Sequence, residues 1–234
     1  MSTPPSKPKG SSVAQTYLLC YNAASALLWT SVLGRVVLLV PLVGVANVFG
    51  GVDDFVRWVQ TLALAEVGHA AFGLVRAPLL TTLMQVASRL LLVWGIAYPF
   101  PHSTSHSPAF AGMLLAWSVT EVIRYSYFVF LLGSGRIPSF LSWLRYNTFY
   151  VLYPLGISCE CWLVYKAIGP AGEVNPLIAY GLWAVLAIYV PGEYYQILSS
   201  KCKVVAKFAV GSYILYSHMM AQRRRVMRGK KRAD

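Results

Sequence analysis

Charged side chains are scarce in this sequence of 234 residues, and lysine is absent between Lys9 and Lys166. Only 12% of the residues are charged and 57% are hydrophobic, whereas about 25% of a soluble domain is charged. A soluble globule of this size needs a polar exterior, which these residues cannot supply. The shortage excludes an ordinary soluble domain and a disordered chain, and it favours a protein whose solvent is lipid.

Cysteine pairs at metal-ligand or disulfide spacing are also lacking. The four cysteines form no Cys-x-x-Cys motif, and Cys159 and Cys161 point to different sides of any helix that contains both. We therefore expect no disulfide framework and no metal site. Packing among apolar helices is the better interpretation for all four cysteines: Cys20, Cys159, Cys161 and Cys202.

The net charge of +12 lies mostly at the ends of the chain. Seven of the 20 basic residues fall between Arg223 and Arg232, and Lys7 and Lys9 add two near the start. Basic ends around an apolar middle are typical of a membrane protein with cytosolic tails rather than of a nucleic-acid surface. We expect no nucleic-acid partner, and we expect contact with membrane lipid.

Several stretches are long and apolar enough to cross a bilayer as helices, since a span needs about 20 mostly apolar residues. They are too long and too continuously apolar for barrel strands, and glycine, proline and serine separate them. The predicted fold is all-α, a polytopic bundle of six transmembrane helices. The predicted spans are residues 17–45, 55–75, 78–98, 109–133, 143–167 and 175–199.

The charges of the short loops predict that both termini lie in the cytosol. Arg76 and Arg136 then fall in cytosolic loops, whereas Asp53, Asp54 and Glu173 fall in lumenal loops, as the positive-inside rule requires. The predicted organisation is a disordered cytosolic tail at 1–12, a six-helix domain at 13–220 and a basic cytosolic tail at 221–234.

Ionisable residues inside the predicted spans are costly, so they mark a functional site or a buried ion pair. Glu66 and Arg89 lie near the middle of adjacent antiparallel spans, which predicts that they pair directly. Glu121 and Arg124 are three residues apart and can pair within one helix. We interpret these four as structural ion pairs, and we expect His69 to hydrogen-bond to Glu66.

Glu160 differs from these residues because no basic residue lies within four positions of it in the sequence. Tyr153 lies seven residues earlier, which places it on nearly the same helix face, about 10.5 Å away along the axis. A phenol and a carboxyl facing a bundle interior are groups that general acid–base catalysis uses. The alternative is that the tyrosine and the glutamate serve helix packing and interface contacts.

Five segments of the sequence carry a resemblance to one family of membrane proteins. The segments are YLLCYNAASALLW (17–29), LTTLMQVASRLLLVWGI (80–96), AWSVTEVIRYSYFVF (116–130), RYNTFYVLYPLGISCE (145–160) and YSHMMAQRRRVM (216–227). They resemble the 3-hydroxyacyl-CoA dehydratases of the endoplasmic reticulum, a family formerly called protein tyrosine phosphatase-like. The resemblance implies a six-span protein of that membrane with cytosolic termini.

The implied reaction is dehydration of a very-long-chain (3R)-3-hydroxyacyl-CoA to the trans-2-enoyl-CoA, the third step of fatty acid elongation. The substrate is itself a CoA thioester, so no cofactor is expected. Besides this substrate and membrane lipid, the implied partners are the elongase condensing enzyme, the 3-ketoacyl-CoA reductase and the enoyl-CoA reductase.

The resemblance also places the catalytic tyrosine and glutamate of the family on Tyr153 and Glu160. Our hypothesis is that Glu160 takes the C2 proton and Tyr153 assists loss of the 3-hydroxyl, although the sequence allows the two roles to be exchanged. Residues expected to orient or polarise the substrate are Arg124, Tyr125, Arg145 and Tyr146.

Other functions share this composition. A non-catalytic scaffold or lipid carrier of the elongase assembly is the main alternative, and a proton-coupled transporter is disfavoured because the two halves show no inverted repeat. A cysteine phosphatase is excluded at HAAFGLVRAP (69–78), where Ala70 stands at the position of the nucleophile although Arg76 is present.

One stretch departs from the pattern of the family. YVPG at 189–192 is followed by residues 193–211 before SYILYSHMM resumes. Without those residues the last span has an ordinary length, so we interpret them as a retained intron or a lineage-specific insertion. Sequencing of the transcript decides between the two.

Overall fold

Helices account for every regular element of the computed structural model, which describes residues 12–189. A 3-10 turn at Val45–Asn47 precedes the second helix, and the fourth continues as a π-helix over Leu91–Ala97. The predicted all-α class is therefore confirmed. The helices are α1 (Ser12–Val43), α2 (Phe49–Thr61), α3 (Leu64–Ala71), α4 (Leu79–Leu90), α5 (Pro101–Thr104), α6 (Pro108–Gly133), α7 (Ser139–Asn147), α8 (Phe149–Val174) and α9 (Pro176–Tyr189).

Four helical stretches within residues 12–189 are long and apolar enough to cross a membrane, by length and composition. Large apolar side chains on these stretches, such as Leu27, Leu38, Val151 and Trp162, are exposed. So extensive an apolar exterior is suited to lipid rather than to water. The stretches are Val13–Val43, Leu79–Ala97, Pro108–Gly133 and Phe149–Val174, which correspond to the predicted spans 17–45, 78–98, 109–133 and 143–167.

The predicted span at 55–75 is divided into two helices. α2 ends at Thr61 and α3 begins at Leu64, and neither helix alone is long enough to cross a bilayer. After α3 the chain turns at Gly73, whose φ of 69° is the left-handed conformation that glycine favours. The aspartates assigned to the preceding loop, Asp53 and Asp54, lie inside α2.

The predicted span at 143–167 begins before a helix break. α7 ends at Asn147, and α8 runs from Phe149 to Val174. Thr148, which joins them, has helical dihedral angles, and no glycine or proline lies between residues 143 and 153 to mark the join. Hydropathy alone therefore could not locate this boundary.

The remaining predicted elements extend beyond the described residues. α9 covers 14 residues of the predicted span at 175–199, from Pro176 to Tyr189. The tail at 1–12 is described only at Ser12. The possible insertion at 193–211 and the basic tail at 221–234 lie outside the described residues.

α6 lies at the centre of the bundle, because it packs along both α1 and α8, and α9 packs against α8. Glycines allow α6 and α8 to approach closely, as small residues do between membrane helices. A Cβ atom on Gly112 of α6 would lie 2.8 Å from Cys159 Sγ, and one on Gly156 of α8 would lie 3.5 Å from Ala116 Cβ. This close contact brings the side chains of α6 within reach of Glu160.

Gly112→Ala is expected to destabilise the protein by about 1–3 kcal/mol, because the added methyl group overpacks the contact between α6 and α8. Thermal unfolding of the detergent-solubilised protein measures this loss. Gly34→Ala is the matched control, since a Cβ there meets nothing within 4 Å. Removing Cys159 Sγ by Cys159→Ala should restore stability to the Gly112→Ala protein. Equal melting temperatures for Gly112→Ala and Gly34→Ala would contradict the tight contact.

Arg57 forms a separate ion-paired group within α2. Its guanidinium donates to Asp53 and Asp54, each at 2.5 Å, and lies 5.3 Å from the Trp94 ring centroid and 4.4 Å from that of Tyr98. Burial raises the pKa of Asp53, and the charge of Arg57 opposes that shift. This group places buried charges at α2. Its residues and Trp94 serve below as controls for substitutions at the candidate site.

Candidate active site

Glu160 is a buried residue of α8 that faces α6. Trp117 of α6, also buried, donates a hydrogen bond of 2.7 Å from Nε1 to Glu160 Oε1. An indole N–H can only donate, so Oε1 acts as an acceptor, as it does in a carboxylate. Sequence reasoning missed Trp117 because it lies 43 residues away, and a tryptophan inside an apolar run carries no signal of a polar contact.

Tyr153 lies on the same helix as Glu160 and is half-buried, with its ring centroid 4.7 Å from that of Phe149. α8 continues without a break from Tyr153 through Pro154 to Glu160. Seven residues of α-helix return to nearly the same face after a rise of about 10.5 Å. The helix on which the spacing argument depends is therefore present.

Gly156 occupies the position between these two residues on the face of α8. It is buried, and a Cβ there would lie 3.9 Å from Glu160 Oε1. The carboxyl group of Glu160 therefore leans one turn back along the helix, toward Tyr153, as helix geometry favours. The missing side chain leaves room for Ala116 of α6, whose Cβ would lie 3.5 Å from a Cβ at this position.

A cluster of four charged residues lies beside this face and is called the ion-pair cluster: Glu66, Arg89, Glu121 and Arg124. Arg124 donates to both oxygens of Glu66 at 2.7 and 2.8 Å, and its Nε donates to Glu121 Oε2 at 2.6 Å. Arg89 donates to Glu121 Oε1, and Tyr125 donates to Glu66 Oε1. Glu121 is fully buried, so the cluster neutralises charge that lipid or core could not solvate.

The predicted pairing within this cluster is half right. The pair of Glu121 and Arg124 is confirmed. The direct pair of Glu66 and Arg89 is wrong, because Arg124 binds Glu66 with both terminal nitrogens while Arg89 binds Glu121. Depth in the membrane was predictable, but the lateral order of the helices decides which arginine reaches which carboxylate.

His69 forms a contact other than the predicted one. Its Nε2 shares a hydrogen bond of 2.9 Å with the Tyr17 hydroxyl, and its ring lies edge-on to Tyr17 and Tyr21. The predicted hydrogen bond to Glu66 is wrong, since Arg124 and Tyr125 bind that carboxylate. His69 therefore ties α3 to α1.

Trp117 joins the ion-pair cluster to Glu160. The Arg89 guanidinium carbon lies 5.0 Å from the Trp117 ring centroid, within the range of a cation–π interaction. The cluster also lines a small cleft, together with Gln60 and Gln85. Polar groups from four helices therefore converge at the cluster, and Trp117 separates them from the carboxyl of Glu160.

The four residues expected to orient a substrate fall into two places. Arg124 and Tyr125 belong to the ion-pair cluster or bind it. Arg145 stacks on Tyr127 and Phe128 at 4.3 and 5.4 Å, and Tyr146 lies near both Tyr127 and Arg145. Within the described chain, the buried Arg145 Nη1 has no hydrogen-bond partner. Arg145 is thus the candidate with a donor available for a ligand oxygen.

Metal-ligating groups do not converge in the described ranges. Between residues 12 and 189, no three His, Cys, Asp or Glu side chains are placed to hold a metal ion. In the segment 69–78, Ala70 lies at the end of α3 and Arg76 is exposed in the turn that follows. The chemistry available at the described site therefore comes from carboxyl, phenol, indole and guanidinium groups.

Comparison with known proteins identifies the family of this chain. The family described as "Protein tyrosine phosphatase-like protein, PTPLA" matches residues 60–229. A protein of Schizosaccharomyces pombe named "Probable very-long-chain (3R)-3-hydroxyacyl-CoA dehydratase" is 47% identical over 90% of this chain and 92% of its own length.

Two more distant relatives carry similar names. The Arabidopsis thaliana protein "Very-long-chain (3R)-3-hydroxyacyl-CoA dehydratase PASTICCINO 2" is 36% identical over 94% of this chain and 96% of its own. The Caenorhabditis elegans protein "Very-long-chain (3R)-3-hydroxyacyl-CoA dehydratase hpo-8" is 37% identical over 82% of this chain and 95% of its own. No solved structure matches the chain significantly. The chain therefore belongs to the protein tyrosine phosphatase-like family, PTPLA, which its sequence had been found to resemble.

Proposed function

We propose that this protein is a very-long-chain (3R)-3-hydroxyacyl-CoA dehydratase, a hydro-lyase that forms the trans-2-enoyl-CoA and water. The names of its relatives support this activity. One observation carries the proposal: the buried Glu160 accepts a hydrogen bond from Trp117 of α6. Glu160 also lies on the same face of α8 as Tyr153. This arrangement supplies a base and an acid within one water-poor site.

The proposed mechanism assigns one proton transfer to each residue. The thioester carbonyl acidifies the C2 hydrogen, and the Glu160 carboxylate accepts that proton. Tyr153 donates its proton to the 3-hydroxyl, which leaves as water while the C2–C3 double bond forms. A phenol carries a proton that it can donate at neutral pH, and Trp117 Nε1 holds Glu160 Oε1 as a hydrogen-bond acceptor. These properties favour Glu160 as the base and Tyr153 as the acid over the exchanged roles.

Arg145 is the proposed contact for a polar oxygen of the substrate. Its buried Nη1 has no hydrogen-bond partner in the described chain, and a buried donor without a partner is costly. A polar acceptor elsewhere on the substrate removes that cost when it binds. Tyr146 lies near both Arg145 and Tyr127, on whose ring Arg145 stacks.

The proposal includes the cellular setting of the reaction. We place the protein in the endoplasmic reticulum membrane with six spans and both termini in the cytosol. Four apolar helices of sufficient length support a multi-pass arrangement. The acyl chain of the substrate then stays among apolar helices, and the condensing enzyme, the 3-ketoacyl-CoA reductase and the enoyl-CoA reductase are the proposed partners, because they make and consume its substrate and product.

Turnover by the purified full-length protein tests this proposal. Incubation with (3R)-3-hydroxyoctadecanoyl-CoA in detergent micelles or liposomes is expected to give trans-2-octadecenoyl-CoA, detected by mass spectrometry as loss of one water. The (3S) enantiomer is the control and should remain unconverted, since the acid and the base occupy fixed positions. Binding of the (3R) thioester without conversion would overturn the proposal in favour of a lipid carrier or scaffold.

A further inference from the structure

We propose that Trp117 is a positioning residue that fixes the carboxyl group of Glu160 and connects it to the ion-pair cluster through Arg89. This inference rests on the proposed function, because it assigns a role at the same site. The side chain contacts Glu160 with the edge of its indole and Arg89 with its face. Neither Trp117 nor this connection was apparent from the spacing of residues in the sequence.

The orientation of the indole ring is fixed from several sides. Its Nε1 lies 2.7 Å from Glu160 Oε1, and the Arg89 guanidinium carbon lies 5.0 Å from its ring centroid. Trp117 is only 2% exposed, within the main core cluster of the bundle. A ring held in this way offers its N–H in one direction, so it selects one orientation of a carboxyl that has three rotatable side-chain bonds.

The ion-pair cluster explains why Arg89 stays over the ring. Arg89 donates to Glu121, which is buried and also accepts from Arg124. Arg124 is in turn bound to Glu66 of α3 by two hydrogen bonds. The contacts therefore form a continuous chain. It runs from Glu66 of α3 through the charged residues of α6 and α4 to Trp117 of α6, and it ends at the carboxyl of Glu160 on α8.

Pre-orientation of Glu160 has a chemical consequence. A general base accelerates proton transfer only when its oxygen lies within hydrogen-bond reach of the proton that it abstracts. A hydrogen bond to a charged acceptor is among the stronger ones in proteins. Loss of the Trp117 N–H should therefore reduce turnover much more than substrate binding, because Trp117 contacts the base.

Trp94 supplies a close structural control for Trp117. Its Nε1 donates a hydrogen bond of 2.9 Å to Thr61 Oγ1, and the Arg57 guanidinium carbon lies 5.3 Å from its ring centroid. It thus makes the same two kinds of contact, a side-chain hydrogen bond and a cation–π interaction, with residues of α2. A purely structural role for the two tryptophans predicts similar effects of replacing either one.

The test measures kcat and KM for (3R)-3-hydroxyoctadecanoyl-CoA with full-length Trp117→Phe and Trp94→Phe. Trp117→Phe should lower kcat about 10- to 100-fold, the effect of losing one hydrogen bond to a charged group. Its KM should change less than about 3-fold, because the lost contact is to the base. Trp94→Phe should leave both constants within about 2-fold of wild type, since Trp94 has no contact with Glu160.

Two further variants separate the hydrogen bond from packing. In a Glu160→Asp background the shorter carboxyl retreats from Trp117, so Trp117→Phe should then lower kcat by less than about 3-fold. Replacement of Trp117 with 3-benzothienylalanine keeps the size and the aromatic face but removes the N–H, and it should reproduce the kcat loss of Trp117→Phe. Full activity of the benzothienyl protein would overturn the positioning role.

The outcomes distinguish this inference from the proposed function. If Glu160→Gln abolishes turnover while Trp117→Phe behaves like Trp94→Phe, the positioning role is wrong and the proposed function stands. If a folded Glu160→Gln protein turns over like wild type, Glu160 is not the base and the positioning role is wrong, whereas the dehydratase activity still stands. An equal kcat loss from Trp117→Phe with glutamate or with aspartate at position 160 also contradicts the connection to the carboxyl.

Discussion

Glu160→Gln is expected to lower kcat for dehydration by at least about 100-fold, the low end of what general acid–base catalysis contributes. The amide oxygen can still accept the hydrogen bond from Trp117 Nε1, but the amide cannot accept the C2 proton. Steady-state conversion of (3R)-3-hydroxyoctadecanoyl-CoA measures the loss. The melting temperature should stay close to that of wild type, because the side chains have the same shape.

Glu173→Gln is the matched control for this substitution. Glu173 lies on the same helix, α8, close to its end, and it is exposed. The identical chemical change there should leave kcat within about 2-fold of wild type. Near-normal dehydration by a folded Glu160→Gln protein would show that Glu160 is not the base.

Tyr153→Phe should produce a loss similar to that of Glu160→Gln, since it removes the proton offered to the departing hydroxyl and little else. Tyr165→Phe controls for the loss of a phenol on α8, because Tyr165 is 53% exposed and lies beside Trp162 and Trp183. Wild-type turnover by Tyr153→Phe would exclude the acid role.

Glu121→Gln is expected to destabilise the fold by about 3–5 kcal/mol, the usual cost of removing one partner from a buried ion pair. Glu121 accepts from both Arg89 and Arg124, so the substitution leaves two guanidinium groups beside a neutral amide. Thermal unfolding of the detergent-solubilised protein measures the effect. Glu66→Gln should cost less, because Arg124 then retains Glu121 as a partner.

An exposed carboxylate provides the control for the ion-pair cluster. Asp54 pairs with Arg57 at 2.5 Å, yet its side chain is 92% exposed. Asp54→Asn should change stability by no more than about 1 kcal/mol, as for other exposed ion pairs. Equal melting temperatures for Glu121→Gln and Asp54→Asn would contradict a buried, stabilising cluster.

Local sequence relations predicted well those features that depend on one helix. The seven-residue spacing placed Tyr153 and Glu160 on one face of a helix, and α8 includes both. The three-residue spacing predicted the pair of Glu121 and Arg124, which the structure contains. Such relations follow from helix geometry alone and need no knowledge of neighbouring helices.

Relations between helices could not be predicted in the same way. Membrane depth suggested that Glu66 binds Arg89, but Arg124 binds Glu66 and Arg89 binds Glu121. The contact between Trp117 and Glu160 depends on the close approach of α6 and α8 at Gly112 and on the rotation of both helices. A hydropathy profile gives the same value to a tryptophan that only packs and to one that donates a hydrogen bond to a carboxylate.

The most direct test of Glu160 as the base follows a solvent deuteron. The dehydration is reversible, so the protein in heavy water should hydrate trans-2-octadecenoyl-CoA and deliver the deuteron held by Glu160 to C2 of the product. Mass spectrometry should find deuterium at C2 with wild type and with Glu173→Gln, and at least about 100-fold slower labelling with Glu160→Gln. Equal rates of C2 labelling by wild type and a folded Glu160→Gln protein would show that another group transfers this proton.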